Sequence, residues 1–172
     1  MSAFSLSPDG KLVIAASETS SKHDFDYLAG NWNIRNRTLK EQLIGSDEWD
    51  EFDATQECRL TLLGSGNFDI FHTERDGKPF EGLTVRLFDP QTRLWTIYWA
   101  DSNAVKLDAG KVGSFDGDVG DFFGREVVGD QEVVVKFHWD KRNPKAPIYS
   151  RAFSADAGRT WEWNWYSTFS PR

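Results

Sequence analysis

Hydrophobic and polar residues alternate with a period of two through most of the chain from Asn31 onward. Successive side chains of a β-strand point to opposite faces, so this period predicts strands with one buried face each. About ten segments carry the pattern. Gly, Asp, Asn or Pro stands between them, as tight reversals require, and we expect neighbouring segments to pair as antiparallel hairpins. The segments are NWNIRNRTL, EWDEFDATQECRLTLL, NFDIFHTER, GLTVRLF, LWTIYWA, KVGSFDG, DFFGREV, QEVVVKFHW, IYSRAFS and TWEWNWYSTF.

One short helix is expected before the first of these strands. Ser21 is a candidate N-cap with Asp24 three positions later, Phe25 and Leu28 have helical spacing, and Gly30 follows. The preceding residues are rich in serine and contain the turn sequence SPDGK. We therefore predict one β-barrel domain over residues 23–172 and a flexible or loosely packed arm over residues 1–22, with a strand laid over the domain as the alternative for the first 20 or so residues.

An all-β chain hides its sheet edges either by closing into a barrel or by stacking two sheets as a sandwich. Several strands carry large or polar residues on both faces. The interior of a barrel that holds a ligand tolerates inward polar groups, which favours the barrel. The predicted fold class is all-β, a single closed antiparallel barrel of about ten strands with one short N-terminal helix.

Composition narrows the classes of partner. Eight tryptophans against one methionine provide rigid rings for a core or for the lining of a pocket. The net charge of −7 and the lack of a basic run of five residues argue against nucleic acid and membrane surfaces as partners. Cys58 is the single cysteine, and no apolar run approaches the roughly 20 residues of a membrane span. We expect a cytoplasmic protein.

The order of a short helix, the sequence AGNW and an uninterrupted β-meander resembles the calycin superfamily. There a short helix closes one barrel end and a G-x-W motif, matched here by Gly30 and Trp32, opens the first strand. The segments FDYLAGNWNIRNRTL, FEGLTVRLFDPQTRLWTIYWADS and AFSADAGRTWEWNWY look like a family of uncharacterised bacterial calycin-like proteins, over nearly everything after residue 22. The resemblance implies a fold without an assigned reaction. Heme-binding nitrobindins are a more distant likeness, and NIRNRTL replaces their glycine-rich first strand.

The segment TWEWNWYSTF raises a question about faces. Regular alternation would place Trp161, Trp163 and Trp165 on one face, and Glu162, Asn164 and Tyr166 on the other. If the tryptophans fill the interior or a subunit contact, the other residues are solvated. If the tryptophans pack outside, then Glu162, Asn164 and Tyr166 point into the lumen as ligand-binding residues.

Two arginines have aromatic or small neighbours on their own face. Arg86 shares a face with Thr84 and Phe88, and Arg151 shares one with Tyr149 and Phe153. A buried arginine needs an anion or a carboxylate nearby, and Glu162 is the candidate partner. The alternative is that both side chains lie along the outer surface. The predicted ligand-binding residues are Arg86, Trp99, Trp139, Arg151, Glu162, Asn164 and Tyr166.

The candidate catalytic residues are four acid or base groups. Asp101 ends a strand beside Trp99, where it would be either a general base of raised pKa or the cap of a turn. The others are Glu162, His72 and His138. Either histidine could in principle be an axial heme ligand, but neither has further ligands at metal spacing, so no metal and no cofactor is predicted.

Three functions remain open at this stage. The first is a binding protein whose lumen accepts a small apolar or aromatic molecule. The second is a cofactor-independent isomerase, cyclase or lyase acting on a small hydrophobic substrate. The third is an oligomerising structural domain, with the tryptophan row as the contact of a possible homodimer.

Overall fold

Residues 4–172 are described by the computed structural model, and the first three residues of the predicted arm lie outside the described range. Twelve strands and two single 3-10 turns make up the regular structure of this range. The 3-10 turns are Asp26–Leu28 and Leu62–Gly64. The strands are β1 Phe4–Leu6, β2 Leu12–Ile14, β3 Gly30–Leu39, β4 Trp49–Thr61, β5 Gly66–Arg75, β6 Lys78–Asp89, β7 Leu94–Asp101, β8 Lys111–Asp116, β9 Val119–Val128, β10 Gln131–Asp140, β11 Ile148–Ser154 and β12 Glu162–Pro171.

Strands β3 to β12 form one closed antiparallel barrel of ten strands, which confirms the predicted architecture. Each strand pairs with the next along the chain, and β12 closes the sheet by pairing with β3. Tight turns set the register between neighbours. At the β5–β6 reversal, Asp76 and Gly77 both have positive φ, of 52° and 72°, as a two-residue hairpin turn that follows the twist of the strands requires.

The predicted N-terminal helix is wrong, because residues 21–29 contain only the 3-10 turn Asp26–Leu28. One of the two hydrogen bonds of the predicted N-cap does form, since the Ser21 amide donates to Asp24 Oδ2 at 2.8 Å. In a helix, backbone carbonyls accept hydrogen bonds from backbone amides. Here two carbonyls of the segment accept hydrogen bonds from side chains of the barrel. Trp95 Nε1 donates to the Ser21 carbonyl and Trp32 Nε1 donates to the Leu28 carbonyl. These tertiary hydrogen bonds hold the segment across the barrel end as a plug.

We call the end covered by residues 21–29 the closed end. Phe25 and Leu28 are fully buried there. The Phe25 ring meets the edges or faces of four large aromatic residues with centroid distances between 5.0 and 6.0 Å, and these are Trp95, Phe115, Phe122 and Trp139. The hydrophobic core therefore fills the closed half of the barrel. The rim at the other end, where β7 ends and β8 begins, is called the open end.

The N-terminal residues pack on the outside of the barrel. Strands β1 and β2 form a separate antiparallel hairpin. The Phe4 ring lies 4.8 Å from Phe123 and 6.3 Å from Trp161 on the outer wall. Arg125 donates to the Gly10 carbonyl. Within residues 4–172 the helical segments are single turns, too short to cross a bilayer.

Cys58 faces the core from β4 and is 2% exposed. Burial raises the pKa of its thiol to about 12. Because the thiolate is the reactive form, we expect no reaction of the native protein with Ellman's reagent at pH 8 and one equivalent of reaction in denaturant. Rapid labelling of the native protein would contradict the burial of Cys58.

Asp156 organises the β11–β12 hairpin. It accepts hydrogen bonds from the Thr160 hydroxyl and amide and from the Ser154 hydroxyl, and these lower its pKa from 3.8 to about 2. A carboxyl whose pKa is depressed by folding stabilises the fold above pH 3.8, and this contribution is lost as the pH falls through 2.

We therefore expect D156N to unfold at lower urea concentration than the wild type at pH 6, with a difference that shrinks as the pH approaches 2. Urea titrations at several pH values measure it. D130N, in the exposed β9–β10 turn, is the matched control. Equal pH dependence of wild type and D156N would contradict the assignment.

Candidate functional site

A cavity of about 340 Å³ lies inside the barrel, between the aromatic core and the open end. Its size is at the lower end of the range of small-molecule pockets. The lining combines aromatic rings with charged and amide side chains. The lining residues are Ile34, Asn36, Gln56, Phe71, Phe80, Thr84, Arg86, Ile97, Trp99, Asp101, Asp108, Lys111, Glu126, Phe137, Trp139, Tyr149, Arg151, Trp165, Ser167 and Phe169.

Trp99 forms one aromatic wall near the open end. The six-membered ring of its indole lies against Gly82, where a Cβ atom would be only 2.1 Å from Cη2 of the ring. Only glycine at this position leaves room for the ring. Phe80 stacks on Trp99 with an interplanar angle of 22°, and Phe71 meets it at 69°. Strands β5, β6 and β7 thus present one continuous apolar surface to the cavity.

An ion pair lies at the base of the cavity. Arg86 Nη1 donates to Asp69 Oδ2 at 2.6 Å and to Asn67 Oδ1 at 2.9 Å. The guanidinium lies over the rings of Phe25 and Trp139, at 5.2 and 5.6 Å. Burial raises the pKa of Asp69, and Arg86 opposes that shift. The carboxylate that pairs with Arg86 is therefore Asp69, and the predicted partner Glu162 is wrong.

A second charged cluster lies at the open end, on β8 and β9. The Lys111 side chain is 1% exposed, and its ammonium donates to Asp108 Oδ2 at 2.6 Å and to Glu126 Oε1. Asp108 also accepts from the backbone amides of Trp99 and Gly110. Two carboxylates on the cavity wall thus face one ammonium, which leaves the cluster with one formal negative charge in excess.

Asp101 is a rim residue and caps a turn. The Trp99 indole donates to Asp101 Oδ2 at 2.9 Å, and the amides of Asn103 and Ala104 donate to Oδ1. Although burial raises the pKa of Asp101, these hydrogen bonds outweigh it and lower the pKa below the usual value. The expected general base of raised pKa is therefore wrong for Asp101, and the alternative, a turn cap, is the one observed.

A β-bulge overturns the prediction that Trp161, Trp163 and Trp165 lie on one face. The β11–β12 pairing passes from Arg151 opposite Trp165 to Ala152 opposite Trp163, and it skips Asn164. One extra residue reverses the faces of the strand from that point. Trp165 therefore lines the cavity, whereas Trp163 and Trp161 pack on the outer wall.

The bulge also brings Asn164 inward, where it is fully buried. Its Oδ1 accepts a hydrogen bond from Arg151 Nε at 2.8 Å. Tyr166 faces outward against Trp49 and Trp163, so its predicted position in the lumen is wrong.

The other candidate residues lie apart from the cavity. Both carboxylate oxygens of Glu162 accept from the Leu43 amide, so Glu162 anchors the β3–β4 loop. His72 pairs with Glu81 on the outer wall, and His138 Nδ1 lies 2.7 Å from Asp121 there. No histidine of residues 4–172 lines the cavity, which contradicts the idea of an axial heme ligand in the lumen. The same range holds no group of three potential metal ligands.

Four of the predicted ligand-binding residues do line the cavity, namely Arg86, Trp99, Trp139 and Arg151. Sequence reasoning missed the amides of Asn36 and Gln56 and the charged groups of Asp69, Lys111 and Glu126. Asn36 had a usable signal, because it follows Trp32 and Ile34 at a spacing of two. Lys111 had none, because a lysine at the start of a strand is usually solvated.

Several buried polar atoms around the cavity have no partner. Within residues 4–172 they include the side-chain N–H groups of Asn36, Gln56, Asn67, Arg86 and Asn164. The amide oxygens of Asn36, Asn67 and Asn164 each accept a defined donor, so the unpartnered atom is the nitrogen in each case. The same range also holds an unpartnered Tyr27 hydroxyl and one unpartnered carboxylate oxygen, Asp69 Oδ1, so donor nitrogens outnumber acceptors among these atoms.

Comparisons with known proteins show the fold. No protein-family profile and no curated protein matches the chain. The S-type phycobiliprotein lyase CPES from Guillardia theta is similar in structure, with a TM-score of 0.61 and 9% identity, over 90% of this chain and 94% of that chain. The M. tuberculosis protein Rv2717c has a TM-score of 0.51 and 14% identity, over 87% of this chain and 97% of that chain. The likeness shows a calycin-like fold, a closed antiparallel barrel of ten strands.

Removing one partner of the Arg86–Asp69 pair should destabilise the protein far more than removing both. R86M leaves a buried carboxylate uncompensated, and we expect a loss of about 3–5 kcal/mol in the free energy of unfolding. The double variant R86M/D69L should recover most of that loss. Urea denaturation measures both, with R35M on the outer wall as a control that should change stability by about 1 kcal/mol or less. Additive losses in the double variant would contradict the pairing.

Proposed function

We propose that the barrel binds a small organic molecule in its cavity, with an aromatic or apolar body against the rings and a polar group toward the unpartnered N–H donors. The observation that carries the proposal is the combination of these donors with an aromatic wall around free volume. Ligand pockets are typically mostly apolar with a few polar groups that fix orientation.

The unpartnered donors are energetically significant. A buried polar group without a hydrogen bond costs about 1–3 kcal/mol. Asn36, Gln56 and Arg86 carry such atoms and are among the residues that line the cavity. A ligand with carbonyl or carboxylate oxygens would satisfy them, because an oxygen acceptor matches an N–H donor. The polar residues therefore support binding rather than only packing.

The similarity to a phycobiliprotein lyase supports the same proposal at the level of the fold. A fold hosts many functions, so the likeness does not identify the ligand. It does keep a lyase or isomerase reaction as the alternative. Among the four predicted catalytic residues, Asp101 is the one at the cavity rim, so an acid–base role for Glu162, His72 or His138 is not part of the proposal.

Three further expectations stay as proposals. Membership of a bacterial calycin-like family and a cytoplasmic location rest on the sequence alone. A homodimer would use the outer wall, where Trp163 packs beside His138 and Tyr166. W163E tests that contact by analytical ultracentrifugation, and unchanged assembly would exclude this face.

Filling the cavity should weaken the binding of a small apolar molecule. The neutral dye N-phenyl-1-naphthylamine becomes fluorescent in an apolar pocket, and we expect saturable binding to the wild type. T84F places a ring in the cavity and should weaken binding at least about tenfold, whereas T168F on the exposed outer wall should not. Equal binding to all three proteins, or no saturable binding to the wild type, would contradict a lumen site.

A further inference from the structure

Arg151 is held by the cavity wall in a way that leaves its terminal nitrogens unused. Its Nε donates to Asn164 Oδ1, and the guanidinium lies 4.8 Å from the Phe153 centroid and 5.2 Å from the Trp165 centroid. These contacts fix the plane of the group. Neither Nη atom donates a hydrogen bond within residues 4–172, and no carboxylate of that range lies within 4.0 Å of Arg151. The fork of two N–H groups is free to bind an anion.

The other cations of the cavity differ from Arg151 because their charges are already paired. Arg86 binds Asp69, and Lys111 binds both Asp108 and Glu126. Burial lowers the pKa of Arg151, with Tyr149 and Glu126 acting in the opposite direction. Glu126 is already engaged by Lys111, so it does not replace a direct partner. A guanidinium that lies between the Phe153 and Trp165 rings and has no direct carboxylate partner favours an incoming negative charge.

Asn36 provides a second donor on the same wall. Strands β11, β12 and β3 are neighbours, with Arg151 opposite Trp165 and Asn36 opposite Ser167. The Trp165 indole and the Ser167 hydroxyl both donate to Asn36 Oδ1, at 3.3 and 2.7 Å. This fixes the amide so that its buried Nδ2 has no partner. Arg151 and Asn36 thus flank the Trp165 ring with unused donors.

We propose that Arg151 and Asn36 form a carboxylate subsite, and that the ligand of this barrel is a monoanionic carboxylic acid with an aromatic or apolar body. This inference rests on the proposed function. A planar carboxylate matches the guanidinium fork, and such charge-assisted hydrogen bonds are the stronger ones. The body would lie against Trp99, Phe80 and Trp139.

The charge of the cavity disfavours a more highly charged anion more strongly than a monoanion. Asp101, Asp108 and Glu126 line the same space, and each would repel a phosphate dianion. A single negative charge is what one unpaired guanidinium can balance. The volume of about 340 Å³ is also in keeping with a small acid.

The test compares two probes of nearly equal shape by isothermal titration calorimetry. Naphthalene-1-acetic acid carries the carboxylate, and naphthalene-1-acetamide replaces it with a neutral amide. We expect the wild type to bind the acid roughly ten- to hundredfold more tightly than the amide. R151M should lose this preference and keep the affinity for the amide. R35M, which removes an arginine from the outer wall, should behave as the wild type.

R151K keeps the charge without the fork, so it should retain only part of the preference, and it serves as a second variant if R151M does not fold. Equal binding of acid and amide by the wild type, or a preference that survives both Arg151 substitutions, would overturn the carboxylate subsite. In that case saturable binding of N-phenyl-1-naphthylamine would leave the proposed function intact. If that neutral dye also fails to bind, the result contradicts the proposed function, on which the carboxylate subsite rests.

Discussion

Closure of the sheet is the constraint on which the rest of this structure depends. A closed barrel places every second residue of ten strands in an enclosed space, so each inward polar group must find a partner there. Arg86 does so with Asp69 and Asn67, and Lys111 with two carboxylates. The side-chain nitrogens of Asn36 and Gln56, two residues that line the cavity, find no partner within residues 4–172. Closure thus divides the interior into an aromatic half that packs and a polar half that retains unused donors.

The bulge at Asn164 connects this constraint to the site. Without the extra residue, one face of β12 would carry all three tryptophans, and Asn164 would lie with Tyr166 on the other. With it, Trp165 and Asn164 both reach the interior, and Asn164 holds Arg151 by its Nε. Trp161 and Trp163 cover the outer wall instead. A one-residue irregularity therefore determines which aromatic ring and which guanidinium lie beside the cavity.

The sequence predicted the barrel well because alternation and turn residues are local signals, and all ten barrel strands were found from them. It also gave Arg86 and Trp99 as ligand-binding candidates, with the outer surface as the alternative for Arg86, and both residues line the cavity. It failed where long-range contacts decide. The helix over residues 21–29 was lost to hydrogen bonds from Trp32 and Trp95, and the bulge left no pattern in TWEWNWYSTF. Asp69 could not be assigned as the partner of Arg86, because both faces of β5 carry aromatic residues.

A high-resolution crystal structure of the protein as purified measures the central claim most directly, because it shows what occupies the lumen. The account predicts an open cavity in which a bound molecule or ordered waters accept hydrogen bonds from the terminal nitrogens of Arg151 and from Asn36 Nδ2. An interior filled by its own side chains, with Arg151 paired to a carboxylate of the chain and no volume left beside Trp165, would contradict it.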